Sequence, residues 1–240
     1  MNITLLGYGK MGHEIENVAI QRGHTIVATI DNETEWTEKK EALKKSDIAI
    51  DFSTPATAVS NMQRCFEIGL PVVVGTTGWY DHQEEMIQQC NAHNGALFVA
   101  SNFSIGMNIL FALNRKLAQL MNHYENYSVS ISETHHIHKL DAPSGTAITL
   151  AKEIINDMDR IADWHLVDGK EAPKNNLPIT AIREGEVPGI HEITYDSDVD
   201  TLTIKHSAKS RRGFALGAVI AAEFLKDKKG FHSMEELINA

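Results

Sequence analysis

The side chains best suited to chemistry are concentrated in one segment, residues 133–147, which reads Glu-Thr-His-His-Ile-His-Lys-Leu-Asp-Ala-Pro-Ser-Gly-Thr-Ala. Histidine titrates near neutral pH and a lysine beside it can act as a cationic acid, so the segment suits proton transfer. Its last part, Pro143 to Thr146, predicts a turn into a helix that presents backbone N–H groups and hydroxyls to an anion. On a chain with a net charge of −10, this local positive charge would attract a small anionic substrate.

The three histidines of this segment, His135, His136 and His138, could also suggest a zinc site. Adjacent histidines point apart, however, and the segment contains neither an H-E-x-x-H pattern nor a cysteine partner. Cys65 and Cys90 are far apart in the sequence and predict two free thiols in a reducing compartment. The sequence therefore favours proton transfer, and we expect no metal.

A second candidate site lies near the start of the chain, where a G-x-G-x-x-G motif follows a predicted strand and opens a predicted helix. In a dinucleotide-binding fold, Gly7 allows the tight turn, Gly9 lets backbone approach a pyrophosphate, and Gly12 allows close helix packing. The helix N–H groups and the helix dipole then favour the anion. A glycine turn without a ligand is the alternative. The predicted nucleotide contacts are Gly7, Tyr8, Gly9, Lys10, Met11 and Gly12.

The residues around this motif bear on the choice of cofactor. Asp31 ends the predicted second strand, where a carboxylate accepts hydrogen bonds from the adenosine ribose and favours NADH. A strict NADP enzyme more often has an arginine beside that position, and the neighbour here is Asn32. Lys10 could reach a 2′-phosphate as a point charge, or it could be a solvated loop lysine. We therefore expect the protein to use both NADH and NADPH.

Three later strand ends carry small polar or glycine-rich segments, at 51–55, 75–78 and 101–104. Ligands bind at the carboxyl ends of the strands in open α/β sheets, so these loops should line the cofactor groove. Their hydroxyl groups could instead cap the helices that follow, or do both. The predicted cofactor contacts here are Phe52, Ser53, Gly75, Thr76, Thr77, Ser101, Asn102, Phe103 and Ser104.

Alternating strands and helices must position the nucleotide loops. Up to about residue 104, short and almost wholly apolar runs alternate with longer amphipathic stretches, which is typical of βαβ units and a parallel sheet covered on both faces. The predicted strands are Ile3–Leu6, Thr25–Ile30, Ile48–Phe52, Pro71–Val74 and Leu97–Ala100, and the predicted helices span 12–22, 36–45, 56–68 and 80–93.

The pattern changes after Ser104 and predicts a second domain with a different sheet. Residues 159–178 contain glycine, proline and paired asparagines and predict an exposed connection. The last three strands are spaced as an antiparallel meander. The predicted elements are helices over 105–121 and 144–158, strands over 128–132, 179–183, 191–195 and 202–206, and closing helices over 214–225 and 234–238.

Charge and hydropathy exclude other classes of protein. The chain has 22 lysine and arginine residues against 32 aspartate and glutamate residues, whereas a general nucleic-acid binder needs a basic face. No apolar run approaches the roughly 20 residues that span a bilayer. The first residues lack a basic region and read as a strand, not a signal peptide. We expect no nucleic-acid or membrane partner and a cytoplasmic location.

The segment 133–147 closely resembles the signature of the 4-hydroxy-tetrahydrodipicolinate reductase (dihydrodipicolinate reductase) family of bacterial lysine biosynthesis. The similarity extends to the glycine loop, to the loops at 75–78 and 101–108, and to Ser210–Arg211. It covers nearly the whole chain and is weakest at 155–180.

The resemblance implies an α/β fold: an N-terminal Rossmann dinucleotide-binding domain plus a C-terminal α+β domain with an open mixed sheet. The dinucleotide-binding domain would comprise 1–104 and 213–240, and the substrate-binding and oligomerisation domain 105–212. The protein would form a homotetramer. Its activity would be the NAD(P)H-dependent reduction of a cyclic dicarboxylate to tetrahydrodipicolinate.

The resemblance also implies residue roles. His135 matches the family's proton donor or acceptor and Lys139 a proton donor, while Arg211 matches an arginine near the cofactor. Many relatives carry an acidic residue followed by arginine where this chain has Asp31 and Asn32. The predicted substrate-binding set is His136, Lys139, Ser144, Gly145 and Thr146.

Two other functions remain open at this point. One is a different Rossmann oxidoreductase of amino-acid metabolism, such as an aspartate dehydrogenase, which shares the glycine loop but lacks the His-His-x-x-Lys and Pro-Ser-Gly-Thr pair. The other is a non-catalytic nucleotide sensor, which would bind cofactor without turnover. The acid–base cluster favours the reductase, because neither alternative needs it.

Overall fold

The computed structural model describes residues 1–169 and 173–240, which divide into two compact units. Unit 1 contains Met1–Ile105 and Arg211–Ala240, and unit 2 contains Gly106–Ser210. The corresponding boundaries expected from the sequence are 104/105 and 212/213. None of the described helices is long and apolar enough to cross a membrane.

Strands and helices are numbered separately along the chain, and a short 3₁₀ helix precedes α5. The strands are β1 (Asn2–Leu6), β2 (Thr25–Ile30), β3 (Ile48–Asp51), β4 (Val72–Val74), β5 (Ala96–Val99), β6 (Ser128–His135), β7 (Asp163–Leu166), β8 (Asn176–Arg183), β9 (Ile190–Asp196), β10 (Thr201–Ser207) and β11 (Gly230–Ser233). The helices are α1 (Lys10–Gln21), α2 (Glu33–Glu38), α3 (Lys40–Leu43), α4 (Pro55–Glu67), α5 (Gln83–Ala92), α6 (Ile105–Met121), α7 (Gly145–Asp157), α8 (Arg212–Leu225) and α9 (Met234–Asn239).

Unit 1 is built on a parallel six-stranded sheet with the strand order β11-β5-β4-β3-β1-β2. Every residue of β3, β4 and β5 is buried, because α1 and α8 cover one face of the sheet and α4 and α5 cover the other. Strands buried on both faces are almost continuously apolar, which explains the runs seen in the sequence. The α/β class with a Rossmann-like first domain is confirmed.

Two elements of unit 1 differ from the prediction. The expected helix over 36–45 is interrupted at Lys39, so two short helices, α2 and α3, replace it. Strand β11 extends the sheet by pairing with β5 and was not predicted. Its four residues are only half-buried and form no apolar run, so the sequence gives no signal for it.

Unit 2 is built on a mixed five-stranded sheet with the order β10-β9-β6-β8-β7. Its central strand β6 runs antiparallel to β9 and parallel to β8. The mixed sheet is confirmed, and β9 and β10 pair antiparallel as the predicted meander requires. The predicted pairing of β8 with β9 is wrong, because β6 lies between them. The alternation of apolar and polar residues along a strand indicates which of its faces is buried, but it does not indicate which strand pairs with it. The face against α6 and α7 buries Val129, Ile131, Leu177, Ile179, Ile193 and Tyr195.

Strand β6 also runs beyond its predicted end at Ser132, as far as His135. Glu133 and His135 are therefore strand residues two positions apart, whose side chains share one face of the sheet. The segment predicted as an exposed connection, 159–178, contains β7 and the start of β8. Residues 170–172 of that segment lie outside the described residues.

Candidate active site

The glycine loop of unit 1 connects β1 to α1, and two of its glycines are required by packing. Gly7 has a φ of +87°, and a Cβ there would lie 2.5 Å from the carbonyl oxygen of Phe52. A Cβ on Gly12 would lie 2.7 Å from the carbonyl oxygen of Gly7. Any larger residue at either position would push neighbouring backbone away, so both glycines maintain the turn.

Gly9 differs from these two because the space beside it is open. It is the N-cap of α1, nothing lies within 4 Å of a Cβ built on it, and no side chain of the described residues caps this helix. The first-turn N–H groups therefore have room for an anionic ligand, which the helix dipole favours. Lys10, the first residue of α1, is exposed beside this space.

Asp31 is exposed at the end of β2 and is tied to the glycine loop, because its Oδ1 accepts a hydrogen bond from the Tyr8 N–H at 3.0 Å. A carboxylate has acceptor capacity left for a ribose hydroxyl after one such bond. Asn32 instead caps α2, accepting from the N–H groups of Thr34 at 3.1 Å and Glu35 at 3.2 Å. The side chain that follows Asp31 is thus committed to local structure.

A buried carboxylate holds the next two loops of unit 1 together. Asp51 at the end of β3 is completely buried and accepts from the Ser53 N–H at 3.1 Å, the Asn61 amide at 2.8 Å and the Thr76 hydroxyl. Burial raises the pKa of this carboxyl, and these hydrogen bonds oppose the shift. Ser53 and Thr76 therefore use their polar groups on Asp51, whereas the N-cap of α4 is Thr54.

These loops border a cavity of about 250 Å³. The Phe52 ring lies so close to Gly75 that a Cβ at residue 75 would be 2.2 Å from it. The walls of the cavity are formed by Met11, Phe52, Ser53, Pro55, Gly75, Thr76 and Thr77. Six of these seven residues are among the nucleotide contacts predicted from the sequence, and they come from three separate loops.

The remaining predicted nucleotide contacts lie before α6 and α8. Phe103 is buried with its ring centroid 5.5 Å from that of Phe52, so it supports the cavity wall from behind. Asn102 Oδ1 accepts from the Ser104 N–H at 2.9 Å and shapes the turn into α6. Ser101 and Arg211 are exposed, the latter as the residue that precedes α8.

In unit 2, the predicted acid–base segment begins at the end of β6. Glu133 is completely buried, and the His135 side chain on the same face is 10% exposed. Strand β8 brings Arg183 to the same place, with its Nη2 3.2 Å from Glu133 Oε1. Strand β9 brings His191, whose Nε2 is 3.7 Å from Glu133 Oε2. The sheet thus adds two residues from distant parts of the sequence.

The two nitrogens of His135 face different surroundings. Nδ1 lies 3.4 Å from Glu133 Oε2. Nε2 faces Gly189, where a Cβ would lie only 3.2 Å from it. Burial lowers the pKa of His135, Lys139 and Arg183 lower it further, and the Glu133 carboxylate opposes them. His135 is therefore neutral near pH 7 in the free protein.

His191 is the second imidazole at Glu133. Burial lowers its pKa to about 4, with the proximity of His135 adding to the shift and Glu133 opposing it. Its Nε2 also lies 3.2 Å from the Ser144 hydroxyl. The ring planes of His135 and His191 are nearly perpendicular, with centroids 5.1 Å apart.

Lys139 and the loop that carries it are held by a small ionic network. Lys139 Nζ lies 2.8 and 2.9 Å from the two carboxylate oxygens of Asp141 and holds the pKa of that carboxyl below its usual value. Arg183 donates to the backbone carbonyls of Lys139 at 3.3 Å and Asp141 at 2.6 Å. The arginine that contacts Glu133 therefore also fixes the position of Lys139.

In the turn into α7, Ser144 has a structural role as the helix cap, whereas the residue after it borders open space. Ser144 is buried and is the N-cap of α7, accepting from the Ala147 N–H at 3.2 Å, while its own N–H donates to Glu133 Oε1 at 3.0 Å. Gly145 is exposed and nothing lies within 4 Å of a Cβ built on it, and Thr146 is half-buried beside it. The open space for an anion is thus beside Gly145, the first residue of α7.

The other predicted residue of this segment is His136, which is half-buried at the end of β6. Its ring centroid lies 5.9 Å from that of His138, which is exposed and pairs with Glu186 at 3.0 Å. The three histidines of the segment therefore do not converge. Instead Glu133, His135 and His191 bring one potential ligand atom each to within 4.8 Å of one another, a set that could hold a metal ion.

Sequence reasoning missed Arg183, His191 and Asp51 as residues that organise the two sites. Arg183 and His191 lie on strands that pair with β6, and no local motif marks them. Asp51 was noticed only as part of a polar loop, and its burial follows from its place at the end of a central strand. A correct prediction of strand pairing would have found the first two.

Comparison with known proteins places these features in a family. The sequence models of dihydrodipicolinate reductase match residues 1–103 for the N-terminus and 106–238 for the C-terminus. A 4-hydroxy-tetrahydrodipicolinate reductase from Christiangramia forsetii is 48% identical over 239 residues, which cover 100% of this chain and 98% of that protein. One from Akkermansia muciniphila is 36% identical over 236 residues, covering 96% and 94%.

A solved structure extends this similarity to three dimensions. The dipicolinate-bound dihydrodipicolinate reductase from Paenisporosarcina sp. TG-14 matches with a TM-score of 0.77 at 25% identity. The alignment covers 97% of each chain. Both units of the present chain therefore have counterparts in one known protein.

Proposed function

The chain belongs to the dihydrodipicolinate reductase family, and we propose that His135 and Lys139 carry out its proton transfer at a dicarboxylate site in unit 2. It is an NAD(P)H-dependent oxidoreductase of lysine and diaminopimelate biosynthesis that reduces 4-hydroxy-tetrahydrodipicolinate to tetrahydrodipicolinate. The observation that carries this function is the match over the whole chain at 48% identity. No comparable observation favours an aspartate dehydrogenase or a nucleotide sensor.

The start of α7 and the loop before it support the binding of a dicarboxylate. Backbone N–H groups at Gly145 and Thr146 lie at the positive end of the helix, and open space lies beside Gly145. Lys139 supplies a cation, and His136 is a further candidate contact. Ser144 uses its hydroxyl to cap α7, so we assign it to the support of this turn. The positive charge of these groups offsets the negative charge of the substrate carboxylates, and this draws electron density away from the reacting double bond.

His135 is suited to deliver a proton only when substrate is present. Its lowered pKa keeps it neutral in the free enzyme, and a bound dianion would favour the imidazolium and raise that pKa. The contact with Glu133 favours a proton on Nδ1, which leaves Nε2 to take up and donate the second proton. Gly189 has no side chain to cover Nε2.

The balance of the reaction explains why this proton is needed. The 4-hydroxyl group of the substrate first leaves as water together with a proton from the neighbouring carbon, and this elimination forms the double bond that is reduced. Hydride adds to one end of that double bond, and its electron pair moves to the other end and gives an enamine or carbanion-like intermediate. A proton from His135 Nε2 completes the reduction, and the Lys139 ammonium is the second candidate donor. Glu133 and Arg183 position both donors, through Nδ1 of the imidazole and through the backbone of Lys139.

The nicotinamide cofactor supplies the hydride when it is bound. Unit 1 fits such a cofactor, because the open space beside Gly9 faces helix N–H groups that no side chain of the described residues caps. Asp31 would hold the adenosine ribose and Lys10 would reach a 2′-phosphate, so we propose that both NADH and NADPH serve. The loops around the 250 Å³ cavity, together with residues 101–104 and Arg211, would contact the rest of the nucleotide.

We also propose a cytoplasmic homotetramer without nucleic-acid or membrane partners. The family resemblance supports the tetramer, and the net charge of −10 disfavours binding to nucleic acid. Light scattering coupled to size-exclusion chromatography would give the mass directly. A particle of one or two chains would contradict the tetramer without affecting the catalytic proposal.

The function is tested by mixing the purified enzyme with freshly generated 4-hydroxy-tetrahydrodipicolinate and following the absorbance of NADH or NADPH. We expect rapid oxidation of both cofactors, with rates whose ratio reports the balance between Asp31 and Lys10. Cofactor binding without oxidation would leave the fold assignment intact and remove the proposed substrate. A panel of amino-acid and keto-acid substrates would then distinguish another oxidoreductase from a sensor.

A further inference from the structure

Three side chains of unit 2, Glu133, His135 and His191, form a buried cluster of potential metal ligands. Glu133 Oε2 lies 3.4 Å from His135 Nδ1 and 3.7 Å from His191 Nε2. Among the described residues, Glu133 Oε2 and His135 Nδ1 are buried and have no hydrogen-bond partner of normal geometry. Buried polar atoms of this kind call for a partner.

The ligand types and spacings of this cluster fit a zinc ion. Zinc is bound by imidazole nitrogens and carboxylate oxygens at about 2.0–2.2 Å in a tetrahedron, so neighbouring ligand atoms lie about 3.3–3.5 Å apart. The observed 3.4 and 3.7 Å are close to that spacing, and all three ligand atoms lie within 4.8 Å of one another. Two histidines and a glutamate with water in the fourth position form a known type of zinc site.

The surroundings allow these atoms to bind a cation. Arg183 and the Ser144 N–H both contact Glu133 Oε1, so the carboxylate is held by one oxygen while the other faces the histidines. The Ser144 hydroxyl beside His191 Nε2 can rotate its proton away.

We propose that Glu133, His135 and His191 form a binding site for one Zn²⁺ per chain, and that zinc bound there inhibits the enzyme. The three residues come from two neighbouring strands, β6 and β9, which is why the sequence, with its adjacent histidines at 135, 136 and 138, gave no indication of the site. Zinc on His135 Nδ1 takes the place of the proton that the imidazolium needs there, so the imidazole that we assign to proton transfer cannot form its cationic acid. The inhibition rests on the proposed function, whereas the binding does not.

Binding is tested first with Co²⁺, which replaces Zn²⁺ and reports its coordination in the visible spectrum. Chelator-treated full-length enzyme, without substrate or cofactor, is titrated with Co²⁺ and then with Zn²⁺ as a competitor. We expect the intense bands of a tetrahedral site, saturating at one ion per chain and displaced by Zn²⁺. The weak spectrum of octahedral, hydrated Co²⁺ would overturn the proposal without any substitution.

Substitutions locate the ion. His191→Gln retains an amide near the position of Nε2 but removes a ligand, and it should weaken Zn²⁺ binding by more than the roughly 10–100-fold that loss of an outer-shell partner costs. His138→Asn removes an exposed histidine of the same segment and should leave the affinity unchanged. Glu133→Gln provides a second ligand change if His191→Gln does not fold. Equal loss of affinity in His138→Asn, or unchanged affinity in a folded ligand variant, would refute the site.

Inhibition is measured in parallel with the spectral titration. In the wild-type enzyme, turnover should fall with the same dependence on Zn²⁺ concentration as site occupancy, and excess chelator should restore it. Inhibition at concentrations that leave the cobalt-detected site empty would show that zinc acts elsewhere. Activity in chelator alone tests the proposed function, so failure of that function and failure of the metal site give different results.

Discussion

Each unit of the protein holds one completely buried carboxylate beside its candidate site, and the two differ in their partners. Asp51 in unit 1 accepts from neutral donors only, namely the Ser53 and Thr76 hydroxyls, the Asn61 amide and one backbone N–H. Glu133 in unit 2 contacts a backbone N–H and three groups that are or can become cationic: Arg183, His135 and His191.

The difference indicates two ways of building a site. The partners of Asp51 are neutral donors, so we propose that this carboxylate fixes loops whose backbone and open spaces receive a nucleotide. Around Glu133 the partners titrate or carry charge, so the same degree of burial shifts the pKa of the histidines, one of which we propose as a proton donor. We therefore expect substitutions in unit 1 to change the affinity for the nucleotide by filling open space, and substitutions in unit 2 to change turnover by altering protonation.

The largest effect should come from His135→Gln. We expect kcat to fall about 10²–10⁴-fold, the usual contribution of a positioned proton donor, with a much smaller change in KM. Thr146→Val is the matched change at the carboxylate end and should mainly raise KM, by about tenfold for the loss of one hydrogen bond. Steady-state kinetics distinguish the two, and changes in affinity alone for both variants would remove His135 from proton transfer.

In unit 1, Gly9→Ala should weaken NADH binding by about 10–100-fold, because an added methyl group occupies the open space assigned to the pyrophosphate at a cost of about 1–3 kcal/mol. The fold should be unaffected. Gly12→Ala, whose Cβ would meet the Gly7 carbonyl, should lower the melting temperature as well. Fluorescence titration with NADH and thermal unfolding measure the two effects. If the Gly9→Ala enzyme binds NADH with normal affinity, the nucleotide does not occupy the open space beside Gly9.

The same contrast explains how much the sequence could predict. The site of unit 1 is a series of loops, each following its own strand, and the parallel order of the sheet brings those loops to one edge. Glycine spacing and strand ends therefore predicted most residues of the cavity wall. What they could not indicate is which polar residue points inward: Asp51 belonged to a predicted ligand-binding loop, and its burial depends on the helices that cover β3.

The site of unit 2 was only half predictable for a physical reason. Its contiguous half, from His135 to Thr146, is a motif that the sequence displays. Its other half, Arg183 and His191, depends on β6 lying between β8 and β9, an arrangement set by burial of one sheet face and by no local pattern. The wrong pairing of β8 with β9 and the failure to predict Arg183 and His191 as partners of Glu133 therefore have the same cause, the unpredicted position of β6.

The free energy of unfolding should respond to pH through His191. Its pKa of about 4 in the folded protein lies below the ordinary value of 6.5, so the unfolded chain binds more protons between these values. Stability is then complete above about pH 6.5 and declines by up to about 3 kcal/mol as the pH falls to 4. Urea unfolding in the presence of a chelator should show a shallower decline for His191→Gln. An identical pH dependence would assign the acid sensitivity to other groups.

The smallest effect should be a shift of the pH–rate profile, which compares the two carboxylates directly. If protonated His135 is required, kcat/KM falls as the pH rises through its pKa in the free enzyme. The Glu133 carboxylate raises that pKa, so Glu133→Gln should move the decline to lower pH. Asp51→Asn replaces a carboxylate surrounded by neutral donors and should leave the midpoint in place, whatever it does to stability. Assays in chelator keep any bound metal from masking the histidine. An unmoved midpoint in a folded Glu133→Gln enzyme would transfer the proton-donor role to Lys139, whose ammonium is paired with Asp141.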